Sequence, residues 1–316
     1  MNKKLRIVPS IAPGTPPVTA VIVTYNSAHT IGRTLAAVRR SYDEGLLDVV
    51  IVDNASSDAT PQILRREKHW ARIVLSSTNN GFGRGCNLGF AYVRSPYTLF
   101  LNPDAVIEPD ALRKLLVFLQ TNSWVGIAGP AILCGEDERR PLLQLTGPCP
   151  KPWSVVRDAA PFLRRRSSVV GIVPGTAPMR TGWVCGAVLM IRSTLMRRLE
   201  GFDPRFFLYW EEIDLCKRAA QAGFETWAVG KAVASHIIGA SSRGAPRLYS
   251  AVAKHYYQSR YYYMAKHHGR LAAMAAELGE FLLLTLESAA DALRGRGLER
   301  LRPRLQAALL SLPDER

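Results

Sequence analysis

The sequence has few cysteines, few acids beside its bases, and no long apolar run. Cys86, Cys134, Cys149, Cys185 and Cys216 are an odd set of five with no CxxC pair. That excludes a disulfide framework or a zinc knuckle and favours reduced thiols. No stretch supplies the ~20 consecutive apolar residues of a spanning helix. The opening MNKKLRIVPSIAPGTPP lacks the apolar core of a secretion signal. The expectation is a cytoplasmic protein, in solution or peripheral on the inner face of the cell membrane. Against 26 acids stand 41 lysines and arginines, a net charge of +15. Such a surface suits anionic partners: nucleic acid, acidic lipid or phosphorylated substrates. A nucleic-acid binder should carry a recognised motif or a focused basic stripe, and the chain has neither, so no nucleic acid is expected.

What is present is a normal core composition, 47% hydrophobic and 21% charged. Residues 1–17 read as a flexible leader. From 18 onward apolar β-rich runs alternate with helix patterns: 18–25, 48–52, 72–75 and 97–101 as strands, with helices near 30–40, 61–68, 87–93 and 109–120. Ser27 or Thr30 is expected to cap the first helix and Asp58 the second. This alternation predicts an α/β domain over 18–245, with a mainly parallel sheet and helices on both faces. Between about 134 and 180, prolines, glycines and the run Arg164-Arg165-Arg166 read as a long loop over the site. Residues 246–316 form a helical, basic and amphipathic extension. In it Leu271, Met274, Ala275, Leu278, Leu282 and Leu286 fall at helical spacing. That spacing suits a helix lying on a membrane or packed on the domain.

In parallel sheets, ligands bind beyond the carboxyl ends of the strands. Tyr25, Asp53 and Asp104 each lie at or just past such an end, which places them on one rim although they are far apart in sequence. Asp53 can accept hydrogen bonds from a base or ribose, or serve as a helix cap. The segment 78–89, TNNGFGRGCNLG, can bring backbone amides to a phosphate, or simply form a tight strand-to-helix turn. Asp104 suits an oxygen-ligated Mg2+ or Mn2+, with Asn102 binding indirectly or touching nucleotide. Glu211, Glu212 and Asp214 crowd carboxylates beside aromatics, where burial raises a carboxyl toward a useful base value. Glu211 and Glu212 point differently on a helix, so one at most faces the reacting carbon. Arg243, Arg247 and Arg260 are candidate phosphate contacts, and a lone His236 is more often structural than a ligand.

Together, VIVTYNS at 21–27, VDNASSD at 52–58, NNGFGRGCNLG at 79–89, FLNPDA at 100–105, WVCGAVLMIR at 183–192 and GFDPRFFLYWEEIDLCKR at 201–218 resemble glycosyltransferase family 2. These are inverting transferases with the Rossmann-like GT-A fold, and the likeness is strongest to bacterial rhamnosyltransferases of cell-wall and O-antigen assembly. It covers about residues 18–240. The resemblance implies a donor site of Thr24, Tyr25, Asn26, Asp53, Asn54, Asn80, Gly81, Gly83, Asn87 and Asn102. It implies metal ligation by Asp104 and His236, with Asn102 where a DxD-type motif has its first Asp. Glu212 stands at the catalytic base, in an acidic pair that is Glu-Glu where Glu-Asp is commoner. Trp183, Cys185, Gly186, Ala187 and Trp210 would line the sugar and acceptor region.

The implied reaction moves a sugar, L-rhamnose from dTDP-L-rhamnose before galactofuranose or another hexose from a UDP donor. The acceptor is a hydroxyl of a glycan or of a polyprenyl-diphosphate-linked sugar at a membrane surface. Competing readings are a nucleotidyltransferase, an inactive nucleotide-sugar binder and a basic nucleic-acid-binding protein. The first should have a basic Gly-rich loop after the first strand, where this chain has TYNSAHT.

Overall fold

The computed structural model describes residues 14–134, 142–160, 169–237, 246–293 and 301–305. Most of the 1–17 leader, the run Arg164–Arg166 and Arg243 lie outside these, as does the side chain of Arg247. The chain divides into two compact units: residues 1–147, 170–203 and 212–241 in the first, and 148–169, 204–211 and 242–316 in the second. The second unit therefore takes in two earlier segments besides the tail expected from 246 onward.

The elements run β1 (Val18–Thr24), α1 (Ile31–Asp43), β2 (Leu47–Asp53), α2 (Thr60–Arg66), β3 (Arg72–Leu75), α3 (Phe82–Phe90), β4 (Tyr97–Leu101), β5 (Ala105–Ile107), α4 (Pro109–Thr121) and β6 (Val125–Cys134). They continue with β7 (Leu142–Leu143), β8 (Leu145–Thr146), α5 (Pro152–Ala159), β9 (Val170–Gly171), β10 (Met179–Thr181), β11 (Val188–Arg192), α6 (Ser193–Arg198), α7 (Glu211–Gln221) and β12 (Glu225–His236). The tail supplies α8 (Pro246–His268), α9 (Arg270–Leu293) and α10 (Arg302–Leu305).

In the first unit, the main sheet runs β10-β12-β6-β11-β4-β1-β2-β3. β4, β1, β2 and β3 are parallel, as are β6 and β12. β11 is inserted antiparallel between β4 and β6. Side chains alternate across the sheet, so Val18, Ala20 and Ile22 pack with α1 and α4 residues, while Val21 and Val23 pack on the other face. Both faces are covered, which is why these strands read as unbroken apolar runs.

Helix α3 starts at Phe82, five residues before the expected 87. Gly81 turns the chain with φ 80°, and the helix then lies close on β1. A Cβ on Gly85 would sit 2.7 Å from a Val23 methyl, and one on Gly89 2.5 Å from a Val21 methyl. These two glycines serve close packing and not a ligand. The 134–180 excursion, where described, is not a bare loop: it holds β7, β8, α5, β9 and β10.

The second unit is organised by aromatics and an ion cluster. Phe206 meets Tyr262, Phe207 stacks on His255, and Trp210 packs on Tyr256 and Tyr263. Arg260 donates to Glu277 at 2.7 and 2.9 Å and to Glu280 at 2.7 Å; Arg304 donates to Glu277 at 2.7 Å. All four are buried. Buried charges are tolerated only when paired in this way. Arg260 is thus a structural cation and not a phosphate contact. The cluster also sets the facing of α9: Glu277 and Glu280 face inward, and of the residues expected to lie on a membrane or pack on the domain, Leu271, Leu278, Leu282 and Leu286 are exposed.

Candidate active site

The parallel register puts Thr24 opposite Asp53 and Ile22 opposite Leu101. The strand ends therefore form one rim, as the sequence requires. Thr24 Oγ1 donates to Asp53 Oδ1 at 2.9 Å, and Ser56 donates to the same carboxylate through its hydroxyl at 2.6 Å and its amide at 3.1 Å. Asn26, with φ 49°, accepts from the Ser57 amide at 2.8 Å. Asp58 accepts from Ala28 N at 3.1 Å and Thr60 N at 2.9 Å. The loops after β1 and β2 are stitched into one floor, past which the Tyr25 ring stands 44% exposed. Asp58 sits one position before the α2 cap residue, Ala59. α1 starts after Thr30, whose hydroxyl bonds Ser27 O and caps no amide.

Along the glycine segment, Asn54 Nδ2 donates to Gly81 O at 2.8 Å, tying this turn to the β2 end, and Gly83 is buried in the first turn of α3. Asn80 braces its own loop through Ser76 and Thr78. Asn87 donates to Phe202 O and accepts from Phe202 N, both at 2.8 Å. Its amide is committed to the chain ahead of α7, so the structure gives Asn87 a bracing part where a donor contact is expected.

Beyond β4, Asp104 Oδ1 lies 3.1 Å from His236 Nε2, and Asn102 Nδ2 is 3.4 Å from the same nitrogen. β5 pairs with β12, setting Ala105 opposite His236; β6 sets Cys134 opposite it on the other side. Burial alone would lower the imidazole's proton affinity. The hydrogen bond and charge of Asp104, with a contribution from Cys134, overcome that and push its pKa up to about 9. A carboxylate, an imidazole nitrogen and an amide meet at one point. Among the described residues no group of three or more His, Cys, Asp or Glu forms a closed metal cage. A carboxylate oxygen beside an imidazole nitrogen, short of a closed cage, is a donor set that fits Mg2+ or Mn2+.

The third part is the β10–β11 turn against α7. Thr146 donates to Trp183 O, and the Ala187 amide donates to Cys185 Sγ at 3.4 Å. Gly186 faces Glu212 so closely that a Cβ there would lie 3.4 Å from the Glu212 Cβ. The Glu212 carboxylate accepts from the amides of Glu212, Gly186 and Ile213; burial raises its pKa, and those bonds temper the rise. Its Oε2, and the indole Nε1 of Trp183, are buried with no hydrogen-bond partner. Of the three candidate acids, Asp214 is excluded as a base. It is fully buried and accepts from Arg218 Nε at 2.6 Å, and Arg218 in turn holds Leu199 O and Gly201 O. Glu211 is buried at the first position of α7. Trp210 is buried among the α8 tyrosines, not displayed toward a sugar.

Sequence reasoning missed Ser56, which holds Asp53. The signal was the Asp-to-Ser spacing of three, typical of a side chain bonding backbone a turn ahead. It also missed the left-handed backbone of Tyr209 and Trp210, φ 67° and 70°, which nothing in bulky side chains announces.

A family model described as Glycosyl transferase family 2 matches residues 19–184. The N-acetylglucosaminyl-diphospho-decaprenol L-rhamnosyltransferase of Mycobacterium tuberculosis is 25% identical over 269 residues, 78% of this chain and 84% of that protein. Rhamnosyltransferase WbbL of Escherichia coli is 27% identical over 196 residues, 57% of this chain and 69% of that protein. Among solved structures, mannosyltransferase PcManGT from Pyrobaculum calidifontis, in complex with GDP-Man and Mn2+, superposes with a TM-score of 0.54. It is 19% identical, with coverage of 96% of this chain and 88% of that one. That likeness shows the GT-A fold.

Proposed function

We propose a specific reaction for this chain, which belongs to glycosyl transferase family 2: single-displacement transfer of L-rhamnose from dTDP-L-rhamnose to a hydroxyl of a polyprenyl-diphosphate-linked sugar. The observation that carries it is the Glu212 carboxylate. One side of it is held by the Gly186 amide, Oε2 has no partner, and burial raises its proton affinity. A carboxyl so placed is a general base whose pKa is matched to its task.

Glu212 Oε2 takes the proton of the acceptor hydroxyl. The acceptor oxygen attacks the anomeric carbon as the bond from that carbon to the diphosphate oxygen breaks, and the nucleoside diphosphate leaves with the electron pair. The configuration inverts because attack and departure lie on opposite faces. Tyr25 stacks on the base, Asp53 holds the nucleoside floor through Thr24 and Ser56, and the Trp183 indole N–H donates to a sugar oxygen. Asp104 and His236 would hold Mg2+ or Mn2+, with Asn102 beside them. Such an ion, when bound, stabilises the charge that develops on the diphosphate. Ion and proton compete for His236.

The rhamnosyl donor is favoured by the names of the two relatives above, and the lipid-linked acceptor by the first of them. A galactofuranosyl or other hexosyl transfer from UDP is the alternative. Thermal-shift binding of dTDP, UDP, GDP and ADP, each with and without Mg2+ or Mn2+, separates them, since a ligand of the folded form raises apparent stability. Metal-dependent stabilisation by dTDP supports the proposal, by UDP alone it moves the donor to the alternative, and by none of the four it sinks the donor site.

A further inference from the structure

Helix α9 is charged inside and apolar outside. Glu277 and Glu280 are buried against Arg260 and Arg304. Outward, Leu271 is 82% exposed, Leu278 50%, Leu282 60% and Leu286 59%. From 271 to 292 every exposed position of α9 is uncharged. At about 1.5 Å per residue the stripe from Leu271 to Leu286 runs for about 22 Å. Soluble proteins seldom leave such a row uncovered. Helix α5 packs on α9, close enough that a Cβ on Gly279 would lie 3.1 Å from a Val156 methyl, and it presents Trp153, 59% exposed. Tryptophan suits a boundary with one apolar and one wet side.

Exposed cations stand at the starts of α5 and α9 and on α8: Lys151, Arg270 and Lys254. The exposed acid of α5, Asp158, is paired with Arg157 at 2.8 Å. Glu287 and Asp291 of α9 are partly buried. Among the described residues no helix is long and apolar enough to cross a membrane. An uncharged helical face with basic surroundings and an exposed indole fits an interface-lying helix.

We propose that the outer face of α9, with Trp153, is the surface by which this protein lies on an anionic lipid bilayer. The leucines enter the acyl boundary, and Lys151, Lys254 and Arg270 meet the headgroups. The proposal deepens the lipid-linked acceptor reading, yet it stands on the helix face alone.

The test is co-sedimentation of the full chain with phosphatidylcholine vesicles, with and without phosphatidylglycerol, in low salt. The wild-type protein is expected to pellet with the phosphatidylglycerol vesicles. L278E with L282E weakens that binding at least about tenfold, while K151A with R270A lowers it about fivefold per charge. Both leucines are exposed, so the melting temperature and the dTDP thermal shift stay at wild-type values. Wild-type protein that remains in the supernatant, or an L278E/L282E variant that pellets like wild type, overturns the proposal. So does sedimentation equilibrium that gives a wild-type dimer and a variant monomer without vesicles, which would make the stripe an interface between copies. Wild-type protein that binds dTDP but no vesicles refutes the membrane face alone. The reverse refutes the donor reading alone.

Discussion

Asn102 donates its backbone N–H to the carbonyl of Ala187 at 2.9 Å. This bond joins the two ends of the proposed chemistry. On one side of it stand Asp104 and His236, where the diphosphate is to be held. On the other, Gly186 donates its amide to Glu212. The spacing between Glu212 and the Asp104–His236 pair is thus tied to the backbone that follows β4 and precedes β11, adjacent strands of one sheet. Rigid placement of this sort is where much of the rate of a displacement reaction comes from.

Replacing Glu212 by Gln keeps the shape of the side chain and removes the proton acceptor. Transfer should fall by about 10²–10⁴, with dTDP binding unchanged in a thermal-shift titration. Equal loss of binding and turnover would make Glu212 a donor-site residue instead.

The raised pKa of Glu212 also has a sign in stability. A carboxyl harder to ionise in the folded state than in the unfolded one favours folding at acid pH. That advantage is lost as pH rises through the folded value. Glu212→Gln should therefore melt no lower than wild type at neutral pH, and their melting temperatures should converge in acid. The transfer rate, which needs the ionised base, should fall as pH drops through the same window. A variant much less stable than wild type at neutral pH would show that the carboxylate holds the fold.

At the other end, Asp104→Asn removes the carboxylate that lies 3.1 Å from His236 Nε2. It should abolish the metal-dependent part of the dTDP thermal shift. Asn102→Asp supplies a second carboxylate and should lower the Mn2+ concentration needed for half-maximal transfer. Metal titrations of both variants decide this, and an unaltered Mn2+ dependence in Asp104→Asn would remove the residue from the metal site.

Asp214 and Gly89 test structural assignments. Asp214→Asn removes the charge paired with the part-buried Arg218, which keeps its bonds to Leu199 O and Gly201 O, so the loss should fall below the about 3–5 kcal/mol of breaking a fully buried pair. Gly89→Ala forces a methyl to within 2.5 Å of Val21, an overpacking penalty of about 1–3 kcal/mol. Urea unfolding of each reads the loss directly, and wild-type stability in either contradicts the packing described.

The rim of Tyr25, Asp53 and Asp104 was legible in the sequence because parallel strands announce themselves as apolar runs, and their ends must share an edge. Helix α3 was misplaced because four glycines in twelve residues argue against a helix by propensity. Only the sheet shows that two of them exist to let it approach. The stripe on α9 was legible as a stripe, but its direction was not. Apolar residues normally mark the inner face, and the Arg260 and Arg304 that reverse it come from outside α9. Asp214 looked like its neighbours because a partner four residues on, Arg218, is a common surface pattern, whereas here the carboxylate itself is buried. Trp210 drew attention as a bulky residue beside the acids, and its burial depends on tyrosines some fifty residues later.

The most direct measurement is transfer itself: wild-type and Glu212→Gln protein, each with Mn2+, a polyprenyl-diphosphate-linked sugar, and either dTDP-L-rhamnose or a UDP-hexose. Product is read by mass spectrometry, and its anomeric configuration by NMR. The account predicts a rhamnosylated product of inverted configuration from dTDP-L-rhamnose, absent or reduced at least about a hundredfold with Glu212→Gln. A retained configuration, or undiminished transfer by the Gln variant, would contradict it.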